Sequence, residues 1–307
     1  MKRKLVVEKW SISDIVRTYT DKISEKIIEL STEQFDNKQY KYSPITQTAY
    51  VEGKFEINTF DFGNDKMPPV LNVEYIMYDV HNANSYNNVI KKEDKGIVNS
   101  ESDFKQNYIR IVSGYIGETL LPDFYSSISH EVEHIYQYAC GMQKKIDLYD
   151  AVCNLYKDEN VDKQNVGYTL YYTFKHEQDA MAHQFYEYLD TINIYSNNFE
   201  NILEHFSEYM AFTKAINSIK KMDKDRLKTI LNSIGFSIAD YNKRIHYSFK
   251  RFVQKMHNAF NRKLYDMNER YKCTNIGYNM TNVMIMEECE KNIGYKLQEK
   301  IESIYEF

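Results

Sequence analysis

The stretch Ser127–Tyr136, SISHEVEHIY, places two histidines four residues apart, with a glutamate directly after the first. On an α-helix, residues four apart lie about 40° apart around the axis, so His130 and His134 would point to the same side. Glu131 would lie about 60° from His134 on the same helix. Two interpretations follow from these residues: a metal-binding helix, or an ordinary amphipathic helix that carries two histidines.

The metal interpretation rests on ligand chemistry. Neutral imidazole is the commonest protein ligand for zinc, and two imidazoles on one helical face can bind the same ion. The pattern His130-Glu131-Val132-Glu133-His134 is HExxH in its literal form. Its first glutamate would stand beside the ion without having to coordinate it, as a base acting on metal-bound water requires. A catalytic zinc site needs one more protein ligand and one open position.

A candidate third ligand lies in the segment 171–189, YYTFKHEQDAMAHQFYEYL, which is strongly helical in pattern. Glu177 is followed three residues later by Ala180, whose small side chain would allow close helix packing. Three neighbours of Glu177 offer alternative ligands: His176, Asp179 and His183. The competing interpretation of Glu177 is a surface carboxylate paired with Lys175.

HExxH followed some tens of residues later by a helical ExxA resembles the gluzincin branch of the zinc metallopeptidases. The resemblance covers about residues 105–190 and implies zinc held by His130, His134 and Glu177, with Glu131 as the general base. It also implies a zincin-like fold with a small sheet before the HExxH helix. In that fold an edge strand can bind an extended peptide by strand addition, and NYIRIVSGYI (107–116) is the candidate strand.

The sequence before Pro122 predicts a helix over 11–32, with Ser11 or Ser13 as its N-cap, followed by extended segments. AYVEGKFEINTF is interpreted as two short runs around Glu52-Gly53, and 70–80 and 107–116 each as one strand. The Asn-rich segment 81–103 is expected to be a surface excursion.

After Pro122 the pattern is helical. The HExxH helix is expected to begin near Asp123 and to stop at Gly141, a natural residue for a left-handed helix end. Further helices are predicted at about 146–157, 167–190, 197–221, 224–233, 239–271 and from about 286.

The fold class predicted from these elements is α+β and helix-dominated, with a small N-terminal mixed β-sheet. The whole chain, 1–307, is expected to form one domain in two lobes: about 1–142 with the sheet and the HExxH helix, and about 143–307, helical, with the third ligand.

Composition limits the partners of the chain. The formal charge of −5 argues against general nucleic-acid binding. Neither a signal peptide nor the roughly 18 apolar residues of a membrane span is found in the sequence, so a cytoplasmic location without a membrane is expected. The four cysteines are widely spaced and are interpreted as buried thiols in a reducing compartment.

Two functions remain open on this evidence. The first is a zinc metallopeptidase that hydrolyses a peptide or protein substrate, and the sequence does not single out an oxyanion-stabilising residue among His205, His246, His257 and the tyrosines. The second is a structural or interaction protein of a larger assembly, such as a phage particle, with a structural or vestigial metal site. The 28 tyrosines favour a protein partner or oligomer through tyrosine-rich faces.

Overall fold

The structure is a computed structural model that describes residues 13–43, 47–58, 67–80, 100–103, 106–116, 119–121, 123–141, 147–192, 194 and 199–273. The chain divides into two compact units. Ser13–Lys144 is called the sheet unit, and the part that begins at Lys145 is called the helical unit. The predicted α+β class, dominated by helix, is confirmed. The prediction of a single domain in two lobes stays a prediction.

The described part of the sheet unit has a run of strands between two helices. The elements are α1 (Asp14–Asp36), β1 (Lys41–Tyr42), β2 (Ala49–Asn58), β3 (Val70–Val80), β4 (Ser100–Asp103), β5 (Tyr108–Ile116), β6 (Thr119–Leu120) and α2 (Phe124–Ala139). Within the described residues the sheet order is β1-β2-β3-β5-β4, and β6 pairs with β5. Strands β3 and β5 are parallel and the other pairs antiparallel, so the predicted small mixed sheet is confirmed.

Alternation along β3 sorts its side chains between the two faces of the sheet. Leu71, Val73, Tyr75 and Met77 are buried in one core together with apolar residues of α1 and α2. Residues two apart on a strand share a face, so this hydrophobic set fixes the register of the strand. The core of the sheet unit therefore lies between the sheet and the helix that carries the HExxH pattern.

The prediction of two short runs around Gly53 is wrong, because β2 passes through this glycine without a break. Gly53 is paired with Tyr75 on β3, and a Cβ at Gly53 would come within 2.5 Å of the Tyr75 hydroxyl oxygen. The phenol ring occupies the space of a side chain at this position. Glycine is present here for close packing and not for a turn.

The expectation that 107–116 forms an edge strand is also wrong. Strand β5 pairs with β3 along one side, and on the other side with β4 at Tyr108–Ile111 and with β6 at Tyr115 and Ile116. The Gly114 carbonyl accepts a further hydrogen bond from the Leu121 amide at 3.0 Å. The chain itself therefore occupies much of the edge at which a peptide would add.

The helical unit contains α3 (Asp147–Tyr156), α4 (Val161–Tyr171), α5 (Lys175–Tyr188), a 3-10 turn (Leu189–Thr191), α6 (Phe199–His205), α7 (Ser207–Lys220), α8 (Lys224–Asn232) and α9 (Ile238–Cys273). The helices predicted near 146–157, 224–233 and 239–271 correspond to α3, α8 and α9. Aromatic and aliphatic side chains from each of these helices form the core of the described part of this unit.

Two predicted helices are each divided in two. The helix expected over 167–190 is interrupted before Phe174, which is extended. Three side chains bond the interrupted segment: Gln178 donates to the Tyr172 carbonyl, Arg251 to the Thr173 carbonyl, and Arg244 to the Thr173 hydroxyl. The bonds to the two carbonyls take the place of backbone hydrogen bonds that a continuous helix would make. They come from side chains, so the periodicity of the sequence cannot predict them.

The second interruption occurs in the predicted helix 197–221, at Phe206. Its backbone is extended and its ring is buried 5.0 Å from the Phe185 ring and 5.4 Å from the Tyr188 ring. Insertion of this ring into the core turns the chain between α6 and α7.

Several other expectations concern single residues or segments. Ser13 precedes α1 as its N-cap, whereas Ser11, the rest of the Asn-rich segment before Ser100, and the helix from about 286 lie outside the described residues. Cys140 and Cys153 are free thiols but only half-buried, so the expectation of burial is wrong for them. None of the described helices combines the length and the apolar character needed to cross a membrane.

Candidate metal centre

The HExxH helix, α2, begins after Asp123 and ends at Cys140, close to the predicted bounds. Gly141 follows with φ of +67°, and its amide donates to the Tyr138 carbonyl, as expected for a glycine that ends a helix. Ile128, Val132 and Ile135 are buried in the core of the sheet unit. Each histidine comes two positions after one of these buried residues, His130 after Ile128 and His134 after Val132. The histidines therefore lie about 200° around the helix axis from the side that faces this core.

The two histidines are in contact. Their Nε2 atoms are 3.1 Å apart, and the ring planes meet at 80°. In a tetrahedral zinc site with Zn–N distances of about 2.0–2.1 Å, two nitrogens lie about 3.3 Å apart. The observed separation fits this arrangement, and it also fits one ring donating a hydrogen bond to the other.

The two glutamates of the pattern are both buried, although carboxylates are rarely buried without a function or partners. Glu133 accepts a hydrogen bond of 2.8 Å from the Gln137 side chain one turn later. Glu131 follows His130 directly, on the helix that carries both histidines. Its position in the chain is that of the predicted general base.

Glu177 lies in the first turn of α5 and is 0% exposed, so the surface interpretation of this carboxylate is wrong. Tyr149 on α3 donates a hydrogen bond of 2.7 Å to its Oε1 atom. The Nε2 atom of His176 lies 3.2 Å from the same oxygen. Burial, and then the charge of Glu177, raise the pKa of Tyr149, so its hydroxyl remains protonated and able to donate at neutral pH.

The alternative third ligands are placed differently. Asp179 forms a buried ion pair with Lys255 of α9, so its carboxylate already has a cationic partner. The His176 ring packs against two aromatic rings, 4.9 Å from the Tyr149 ring and 5.7 Å from the Phe174 ring. His183 is buried two turns along α5 from Glu177.

The structure brings together three of the predicted residues. One candidate ligand atom from each of His130, His134 and Glu177 lies within 4.8 Å of the other two, and this group could hold a metal ion. In the part of the chain that the structure describes, this is the one group of three or more such side chains close enough together to hold a metal ion. Its donor set is two imidazole nitrogens and one carboxylate. Three protein ligands of this kind leave a position for water, as in catalytic zinc sites.

The three histidines considered as oxyanion-stabilising residues make contacts of other kinds. His205 is exposed, and its Nδ1 atom lies 2.7 Å from the Asn201 carbonyl of its own helix. The His257 ring packs 5.2 Å from the Phe199 ring. Burial, and then the charge of Lys250, lower the pKa of His246. None of these contacts involves His130, His134 or Glu177.

Sequence reasoning missed Tyr149. It belongs to no motif, and it precedes Glu177 by 28 positions on another helix. With 28 tyrosines in the chain, residue type alone could not have distinguished it.

Comparisons with known proteins give no match, neither to a protein family nor to a curated protein nor to a solved structure. The resemblance to gluzincins therefore rests on the residues quoted above, and it stays a prediction.

Proposed function

We propose that the chain is a zinc-dependent metallopeptidase of gluzincin type on a zincin-like fold. His130, His134 and Glu177 would hold the metal, and Glu131 would act as the general base. The observation that carries this proposal is the grouping of three ligand atoms within 4.8 Å in a chain whose sequence there reads HExxH.

The residues fit zinc on chemical grounds. Two imidazoles and one carboxylate are an established donor set for catalytic zinc, and the burial of Glu177 favours a partner of opposite charge. Tyr149 and His176 contact the carboxylate of Glu177, as outer-shell partners of metal ligands commonly do.

Bound zinc would supply Lewis acidity, which lowers the pKa of water and polarises a peptide carbonyl. The protein itself would provide the proton transfers. The carboxylate of Glu131 would accept a proton from the attacking water and deliver it to the nitrogen of the departing amine. Because Glu131 is buried, little bulk water would compete for this proton.

The second candidate is a structural or interaction protein with a structural metal site. The pairing of β5 on both sides favours it, because a peptide cannot add along the full length of that strand. Both functions need the same metal ligands, so metal binding is tested first and hydrolysis second.

The first experiment measures zinc per chain by elemental analysis in wild type, His130→Ala and Glu177→Ala. His205→Ala is the matched control, because it removes an exposed histidine outside the proposed ligand set. We expect about one zinc in wild type and in the control, and loss of zinc in the other two. Wild-type protein that takes up no zinc after reconstitution would contradict the proposal.

The second experiment separates the two functions. Wild type and Glu131→Gln are incubated with a peptide library, and cleavage is followed by mass spectrometry. We expect Glu131→Gln to retain zinc and to lose cleavage, because the amide cannot accept the proton. Zinc-loaded wild type that cleaves nothing in the library would favour the structural function.

A further inference from the structure

We propose that Tyr149 is a positioning residue that holds the Glu177 carboxylate in the orientation needed for metal binding. This inference rests on the proposed metal site. It adds a residue that the HExxH and ExxA patterns do not contain.

The hydroxyl of Tyr149 is directed at Glu177 by its packing. Its ring lies 5.1 Å from the Phe174 ring, edge to face, and 5.9 Å from the Tyr171 ring. The His176 ring lies 4.9 Å away on the residue adjacent to Glu177. Three neighbouring rings leave the phenol little rotational freedom, so the 2.7 Å hydrogen bond to Oε1 has a fixed direction.

The backbone that carries Tyr149 is also held in place. Helices α3 and α4 approach so closely that a Cβ at Gly167 would lie 2.3 Å from the backbone nitrogen of Tyr156. Tyr149 and Tyr156 lie on the same helix, two turns apart. The position of α3 is therefore fixed by backbone contact, and with it the origin of the Tyr149 side chain.

Glu177 depends on such support. A carboxylate that is 0% exposed has no bulk water to orient it, and each lost hydrogen bond has a large effect in a poorly solvated site. Tyr149 and His176 both contact Oε1. A carboxylate has two oxygens, so contacts at Oε1 are compatible with coordination through one oxygen.

The test is Tyr149→Phe, which removes the hydroxyl and keeps the ring. Tyr168→Phe is the matched control: Tyr168 donates to a different carboxylate, that of Glu208, at 3.2 Å in the same unit. The zinc dissociation constant is measured by competition with a chelating dye, and thermal unfolding of both metal-free proteins is followed by circular dichroism. Affinities are expressed per folded protein, so that partial unfolding cannot imitate weak binding.

We expect zinc binding to weaken about tenfold to a hundredfold in Tyr149→Phe and to stay unchanged in Tyr168→Phe, with similar unfolding temperatures for the two metal-free variants. A cobalt-substituted Tyr149→Phe protein is expected to show an altered visible spectrum, which a purely structural role would not produce. Equal zinc affinity and equal cobalt spectra in wild type and Tyr149→Phe would overturn the inference alone. Absence of metal binding in wild type would overturn the proposed function together with it.

Discussion

Lys255 and Asp179 form a buried ion pair that connects α9 to α5, two residues after Glu177. Both side chains are almost fully buried, and burial lowers the pKa of the Lys255 ammonium while the charge of Asp179 opposes that shift. The pair therefore anchors the first turns of α5, the helix that presents the proposed third ligand. The Asp179 carboxylate, an alternative to Glu177 as metal ligand, is bonded to the Lys255 ammonium instead.

The first prediction concerns this pair. Asp179→Asn leaves the Lys255 charge without its acidic partner, and we expect the free energy of unfolding to fall by about 3–5 kcal/mol. Urea denaturation measures this loss. Replacement of both residues, in Asp179→Leu/Lys255→Met, is expected to recover much of it. Folded Asp179→Asn should still bind zinc, and a complete loss of zinc from folded protein would instead identify Asp179 as a ligand.

Gly167 gives the second prediction. In Gly167→Ala the new methyl group would lie 2.3 Å from the Tyr156 nitrogen and 2.6 Å from the Leu155 carbonyl carbon, both backbone atoms that cannot rotate away. We expect a loss of about 1–3 kcal/mol, measured by thermal or urea unfolding, although alanine is normally the better helix former. Asn217→Ala, at an exposed position of α7, is the control and should be neutral or slightly stabilising. A stabilising effect of Gly167→Ala would show that the two helices can separate.

The third prediction concerns acid sensitivity of the sheet unit. Burial pushes the pKa of Glu74 upward, but hydrogen bonds from Lys54 and Tyr108, with the charges of Lys54 and Arg110, outweigh it and lower the pKa below 4.5. A carboxyl whose pKa is lower in the folded state stabilises the fold above its unfolded pKa, and the contribution disappears as the pH falls through the folded pKa.

This contribution is measured as the difference in free energy of unfolding between wild type and Glu74→Gln. We expect it to be constant from about pH 6 to pH 7 and to shrink steadily below about pH 4.5. Lys26→Gln, in an exposed helical pair with Glu29, is the control and should change the free energy of unfolding little. A Glu74→Gln difference that does not change with pH would show that the ion pairs do not favour the charged carboxylate.

The fourth prediction tests the packing at Gly53. In Gly53→Val the new side chain would displace the Tyr75 ring. The hydroxyl of this ring donates a hydrogen bond of 3.0 Å to the side-chain carbonyl of Gln34 on α1. We expect a loss of about 1–3 kcal/mol in urea unfolding, despite the higher strand propensity of valine. Gly53→Val/Tyr75→Leu should recover part of this loss. If the double variant loses as much as the sum of the two single variants, Gly53 and Tyr75 are energetically independent.

The sequence predicts features whose chemistry is local. The HExxH spacing predicts His130 and His134 as metal ligands because a helix brings residues four apart to one side, and the strand over 70–80 follows from its alternation. Gly141 is recognisable as a helix end for a similar reason. Glu177 required a comparison with a known pattern, since nothing in its own neighbourhood marks it as a ligand.

The features that the sequence did not predict depend on contacts between distant segments. Helix α5 starts at Lys175 because Arg244, Arg251 and Gln178 donate hydrogen bonds to two backbone carbonyls and one hydroxyl just before it. Tyr149 reaches Glu177 from another helix, 28 positions earlier in the chain. A glycine in an extended segment has two interpretations, a turn or a close approach, and the choice between them at Gly53 depends on which residue lies opposite.

Gly53 and Tyr75 also have a consequence for the evolution of this chain. The Tyr75 ring fills the space that a side chain at position 53 would need, so neither residue can be enlarged without a change in the other. In an alignment of relatives, a bulkier residue at position 53 is expected to accompany a smaller one at position 75. A protein engineer who replaces glycines in strands to increase stability would have to treat the pair as a single choice.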